Sequence, residues 1–312
     1  MIIYQAKDFI QTREGLVFAV VEGGLEQGKV LCFLRYQWQG EAWKKLATDA
    51  ANQLLEEQHP HYLFYSTVKS AHLHAVSVAD ITIHHQPKKQ LQQILAKHRP
   101  DKVEQDLIDL CQLFLTQGMP LDNLGITGSL LIAAQNPQSD IDIVVYGRGN
   151  FHKLRASLMH LLDARKLEHL DEQAWHESYR RRQCDLSYAD YVWHEQRKYN
   201  KALINQRKFD LNLLVEEPVT DSAVYQKQGA IIIRALVADA QYVFDYPAKF
   251  LLDHPDIAEV LCYTATYTGQ AEAGEVIEVA GQVEQPNTGR QRIIVGSTRE
   301  ARGEYIKVVA EV

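Results

Sequence analysis

The 312-residue sequence predicts an α+β protein: a mixed sheet flanked by helices, set between a small N-terminal α/β module and a C-terminal β-rich one. Three observations predict it. The acid-bearing apolar run Asp140-Ile141-Asp142-Ile143-Val144-Val145 lies between two segments of helical periodicity, one carrying Val103, Leu107, Leu110, Cys111 and Phe114, the other Lys153 to Leu162. Near the N-terminus, two apolar runs flank a Gly-rich loop, the pattern of a hairpin. After residue 219, short apolar runs recur between glycines, the pattern of a small barrel or sandwich. The expected sections are 1–86, 87–218 and 219–312.

The elements follow in order. Gly15 to Val21 and Lys29 to Tyr36 form the two strands of the hairpin, joined through Glu22 to Gly28. Thr48 opens a helix that ends before Pro60, and Tyr62 to Tyr65 adds a strand. In the middle section, helices run from Lys88 to Lys97 and from Lys102 to about Gln117, the second closed by Gly118 and Pro120. The acid-bearing strand and the Lys153 helix follow, and residues 163–208 read as mostly helical, polar and aromatic. Lys208 to Val215 alternates as a half-buried strand does, and Pro218 closes the section. In the last section, Ala230 to Val237, Gly274 to Val283 and Gln291 to Val295 are strands, with turns at Gly269, Gly274 and Gly281.

The chemistry concentrates around Gly128-Ser129. Ten residues separate Ser129 from Asp140. On a strand, residues i and i+2 share a face, so Asp140 and Asp142 leave one side while Ile141 and Ile143 enter the core. Two carboxylates side by side repel, and a cation between them relieves the repulsion. Magnesium is commonly held by one or two carboxylates together with substrate phosphates. Gly-Ser, this spacer and Asp-hydrophobic-Asp-hydrophobic resemble the signature of the polymerase-beta-like nucleotidyltransferase superfamily, over roughly residues 101–217. The overall layout also resembles uncharacterised archaeal-type proteins in which such a core lies between two smaller modules.

The resemblance implies a nucleotidyltransferase fold for the middle section. It also implies transfer of a nucleoside monophosphate from a nucleoside triphosphate to an acceptor hydroxyl, with release of pyrophosphate. Gly128 and Ser129 would contact the triphosphate. Asp140 and Asp142 would bind two magnesium ions, with manganese as the alternative, and a third carboxylate would come from a later strand. Asp210 in Lys208-Phe209-Asp210-Leu211 is the expected third ligand; Asp185 in Cys184-Asp185-Leu186 is the rival. The competing class is a degenerate core that binds RNA or protein without turnover.

The net charge of −7 argues against indiscriminate nucleic-acid binding by the whole surface. Residues 148–208 nevertheless hold thirteen Lys and Arg against eight Asp and Glu. Within this segment Lys153 and Arg155 are the candidate nucleotide-binding cations, and the others would neutralise a triphosphate or steer a polyanionic acceptor. The acceptor is expected to be an RNA or a protein hydroxyl. An oligonucleotide-binding-type barrel is the expected form of the last section, with Tyr263, Tyr267, Arg290 and Arg292 as candidate acceptor contacts and packing as their plainer role. His72-Leu73-His74 and His84-His85 read as packed or surface histidines rather than zinc ligands, since no third ligand stands at a familiar spacing. Four scattered cysteines, no signal-peptide pattern and no long apolar run point to the cytoplasm and away from a membrane.

Overall fold

The computed structural model describes residues 3–67, 71–215, 225–297 and 301–309. The chain forms two compact units: Met1–Leu154 with Ile204–Pro218, and Arg155–Leu203 with Val219–Val312. The section end expected at Pro218 lies outside the described residues.

The first unit opens with strands β1 (Phe9–Thr12), β2 (Leu16–Val20), β3 (Lys29–Trp38) and β4 (Trp43–Lys45). Helix α1 (Thr48–Gln58) and strands β5 (Leu63–Ser66), β6 (Ala71–Ser77) and β7 (Ile81–His85) follow. Among the described residues these strands make one sheet, ordered β5-β6-β3-β2-β1-β7 with β4 on β3. One face buries Ile10, Leu16, Phe18, Val30, Cys32 and Leu34 against Ala51 and Leu55 of α1. The opposite face carries Phe9, Val17 and Tyr36, packed on Leu131 and Ile132 from the Gly-Ser turn. The module is richer in strands than its sequence pattern predicts. β1, β6 and β7 carry Gln, His and Thr on their polar faces, so their apolar runs are too short to stand out.

The rest of the unit holds α2 (Pro87–Leu95), α3 (Lys102–Thr116), β8 (Leu124–Thr127), β9 (Ile141–Tyr146) and the start of α4 (Arg148–Asp163). The chain returns through β10 (Lys201–Ile204) into β11 (Arg207–Leu214). The sheet order is β10-β11-β9-β8, with β9 and β11 parallel and β8 antiparallel to β9. Asp101 caps α3 in a reciprocal capping box with Glu104, satisfying amides that a helix start leaves orphaned. A side chain at Gly125 of β8 would meet Pro87 Cβ at 2.7 Å; glycine there lets the start of α2 lie on the sheet.

The second unit contains α5 (Glu172–Arg182), α6 (Tyr188–Arg197) and strands β12 (Tyr225–Asp239), β13 (Ala248–Asp253), β14 (Ile257–Cys262), β15 (Val276–Pro286), β16 (Gln291–Val295) and β17 (Tyr305–Val309). Pairing runs β12-β13-β14-β16-β15, and β15 pairs back to β12, so five strands close into a ring with β17 alongside β15. β14 and β16 are parallel, and the other pairs of the ring are antiparallel. α6 is tied to the ring by His194 Nε2, which accepts from Val308 N at 3.0 Å. Tyr267 is 3% exposed in its core. Arg292 is ion-paired with Glu284 at 2.8 Å, and Arg290 donates to the His254 carbonyl at 3.0 Å. Among the described residues no helix is long and apolar enough to cross a membrane.

Candidate active site

Strand pairing assembles the site. In the parallel ladder Asp210 stands opposite Asp142, and in the antiparallel one Thr127 stands opposite Asp142 on its other side. Asp140 immediately precedes β9. The sheet therefore brings Asp140, Asp142 and Asp210 to one place beside the turn that begins at Gly128. Ile141 and Ile143 are fully buried on the opposite face.

Gly128 and Ser129 open a five-residue 3-10 turn, Gly128–Ile132. Gly128 has φ +70°, and a Cβ there would lie 2.4 Å from Asp142 Oδ2. Two separate constraints thus require glycine: a left-handed backbone and contact with a carboxylate. Ser129 Oγ makes no hydrogen bond among the described residues; its carbonyl accepts from Ala134 N at 2.9 Å and closes the turn.

The electrostatics are those of crowded acids. Burial pushes the Asp142 carboxyl up to about 6, and the charges of Asp140 and Asp210 push it the same way, while Lys208 and Lys7 pull it back. Lys208 shares the β11 face with Asp210 and lies 2.9 Å from Asp210 Oδ2 and 3.9 Å from Asp140 Oδ2. Tyr36 of β3 also faces this cluster. Burial, against the pull of Arg35, pushes its phenol up to about 12, with Asp142 and Asp140 adding to the rise.

A second network holds the loop before Asp140. Asp106 of α3, fully buried, receives Arg207 Nε at 2.8 Å and Lys102 Nζ at 2.7 Å. Arg207 Nη1 then donates to the carbonyls of Pro137 and Ser139 at 2.9 and 2.6 Å. The guanidinium spans two backbone oxygens and a carboxylate, fixing where the chain enters β9. Asp106, Lys7 and Tyr36 do not figure among the site residues read from sequence. Arg207 and Lys208 are signalled only as members of the basic segment 148–208.

The remaining expected residues are placed as follows. Lys153 Nζ donates to the Gly118 carbonyl after α3 at 2.9 Å. In the second unit, Arg155 Nε donates to the Lys198 carbonyl at 2.6 Å and its guanidinium lies over the Phe244 ring at 4.0 Å. There too the Asp185 carboxylate accepts from Gly303 N at 2.8 Å. The histidines have protein partners: His74 bonds Leu34 N and Asn52, His84 pairs with Asp8, and His85 with Gln11.

The donor set suits a hard divalent cation. The contributing atoms are carboxylate oxygens, and like charges on adjoining strands are relieved by a cation. Among the described residues no group of three or more His, Cys, Asp or Glu side chains is arranged to hold a metal ion by itself. Magnesium ordinarily completes its shell with substrate phosphates and water.

Comparison with known proteins places the chain in a family. Residues 109–210, from within α3 to Asp210, match the family described as nucleotidyltransferase domain. The uncharacterized protein MJ1086 of Methanocaldococcus jannaschii is 32% identical, over 97% of this chain and 98% of its own length. No solved structure matches the chain. The chain therefore belongs to one family with the Methanocaldococcus jannaschii protein and carries a nucleotidyltransferase domain of the polymerase-beta-like superfamily.

Proposed function

We propose that the protein transfers a nucleoside monophosphate from a nucleoside triphosphate to an acceptor hydroxyl, releasing pyrophosphate. The observation that carries this is the convergence of Asp140, Asp142 and Asp210 beside a Gly-Ser turn whose glycine leaves no room for a Cβ next to the Asp142 carboxylate. Asp140, Asp142 and Asp210 would hold magnesium, with manganese as the alternative. Bound there, the ion would supply charge neutralisation to the triphosphate and its leaving pyrophosphate. Gly128 lets the backbone approach the phosphates, and Ser129 offers a hydroxyl. Asp210, on the β11 side of the cluster, would accept the proton of the acceptor hydroxyl. Most of the rate enhancement would come from positioning and fixed charge.

The acceptor class we favour is RNA in the cytoplasm, with a protein hydroxyl as the alternative. We read the ring of the second unit as an oligonucleotide-binding-type barrel, five strands closed through one parallel pair. The 1–86, 87–218 and 219–312 sections then serve as flank, catalytic core and acceptor module. One observation favours a second reading: Lys208 already ion-pairs Asp210, as it would in a degenerate core that binds ligands without turnover.

A transfer screen separates the two. The four α-labelled ribonucleoside triphosphates with magnesium are offered to cellular RNA, protein and small metabolites. Label should enter one fraction and disappear with the Asp140→Ala/Asp142→Ala double variant, whose fold should be unchanged or more stable because two repelling acids are gone. Full transfer by the double variant would refute the metal assignment. Nucleotide binding without transfer to any fraction would favour the degenerate core.

A further inference from the structure

We propose that Lys7, supplied by the N-terminal section, is a phosphate-contacting residue of the nucleotide site and selects triphosphate over monophosphate. The proposal rests on the nucleotidyltransferase reading above and extends it to a residue outside the matched domain.

Lys7 is held at both ends. Its carbonyl accepts from Thr127 Oγ1 at 3.0 Å, and Thr127 is the residue immediately before Gly128. Its Nζ donates to Asn212 Oδ1 at 3.3 Å, and Asn212 shares the β11 face with Lys208 and Asp210. Lys7 thus bridges the Gly-Ser turn and the carboxylate face. The neighbouring Ala6 packs on Val144, Tyr146 and Leu214, along the same side of the sheet as Asp142.

The N-terminal sheet fixes this segment. Lys7 N donates to Val20 O at 3.2 Å, and Val20 N donates to Asp8 O at 2.9 Å. The Asp8 carboxylate receives Gln5 N at 3.0 Å and meets His84 Nε2 at 2.7 Å. Lys7 itself has φ +74°. In that left-handed region glycine is the low-strain residue and lysine is not. A lysine held there is explained by a use for its side chain. Asn212 presents a neutral amide oxygen, which orients the ammonium. Lys7 is moreover one of the two cations that draw the Asp142 carboxyl down, which places its charge at the carboxylate cluster. A fixed ammonium between a phosphate-binding turn and metal-binding acids is a counter-charge for the distal phosphates of a nucleotide.

Calorimetric titration in magnesium tests this. The wild-type chain and Lys7→Met, Lys7→Gly and Lys7→Arg are titrated with each of the four nucleoside triphosphates, then with the monophosphate of whichever binds. The methionine and glycine variants should lose about ten- to a hundredfold in triphosphate affinity, the worth of a charged hydrogen bond. They should lose less than about threefold for the monophosphate, which lacks the distal phosphates. Arginine should recover most of the affinity. The glycine variant should melt at or above the wild-type temperature, because glycine suits the backbone there; weakened binding then cannot be ascribed to misfolding. Triphosphate affinity unchanged in the glycine variant, or equal losses for mono- and triphosphate, would overturn the Lys7 assignment alone. A wild-type chain that binds none of the four nucleotides would overturn the nucleotide reading and the assignment with it.

Discussion

Two groups of charged side chains, one in each unit, show opposite electrostatics. In the first unit, Asp140, Asp142 and Asp210 gather along adjoining strands, and the Asp142 carboxyl is pushed up by burial and by its two acidic neighbours. In the second unit, Glu195 of α6 is enclosed with Lys198, at 2.5 Å, and Lys201. Glu195 is also buried, but the two ammonium groups outweigh burial and hold its carboxyl well below the ordinary range. Lys198 Nζ spends a further hydrogen bond on the Thr266 carbonyl at 2.8 Å. The second cluster is satisfied by protein groups and needs nothing from outside. In the first, Lys208 and Lys7 pull the Asp142 carboxyl back without outweighing burial and its acidic neighbours. Crowded acids in one place and internal neutralisation in the other are the contrast expected between a site that takes a ligand and one that serves the fold.

The largest effect should come from breaking the neutral cluster. Glu195→Ala leaves two buried ammonium groups without their carboxylate, and should cost about 3–5 kcal/mol in urea denaturation. Replacing all three residues with apolar ones of similar size should cost far less. If Glu195→Ala were harmless, the cluster would be less enclosed than its 1–5% side-chain exposures imply.

The next effect has the opposite sign. Asp142 holds its proton more tightly when folded, near 6, than in the unfolded chain, near 3.9. Stability should therefore fall as pH rises from about 4 to about 6, by about 2–3 kcal/mol from this group, and level off above. Glu195 behaves inversely: its depressed value keeps its contribution intact across that window and loses it only in stronger acid. In chelator, Asp142→Asn should remove the fall between pH 4 and 6 and gain about 2 kcal/mol at pH 7. A variant with the wild-type pH profile would show that the acids are not crowded.

The smallest effect sharpens the geometry of the first cluster. Gly128→Ala should cost about 1–2 kcal/mol, part from the left-handed backbone and part from the carboxylate contact. Combined with Asp142→Ala, the contact part should vanish and the backbone part remain, giving a coupling of about 1 kcal/mol in a double-mutant cycle. Strict additivity would mean that the glycine serves the backbone alone.

The features legible in the sequence were local ones. The Gly128-Ser129 and Asp140-Asp142 pairs stand within one short stretch, and their chemistry follows from strand alternation and turn conformation. The long helix α3 declared itself by its apolar periodicity. Less legible were β1, β6 and β7, whose polar faces shorten their apolar runs. The N-terminal contribution to the site was not legible at all. Lys7, in a left-handed turn between Gln5 and Asp8, carries no motif, and Tyr36 looks like any core aromatic.

By itself the sequence determined that a Gly-Ser turn and a pair of acids lie on one α+β core, because those properties depend on residues a few positions apart. Tertiary structure alone decided which distant residues join them. Parallel pairing of β9 with β11 sets Asp210 and Lys208 against Asp142, and the packing of the first sheet on Leu131 and Ile132 brings Lys7 and Tyr36 to the same acids. Register and packing are properties of surfaces that meet only after the chain has folded, so no window of sequence contains them.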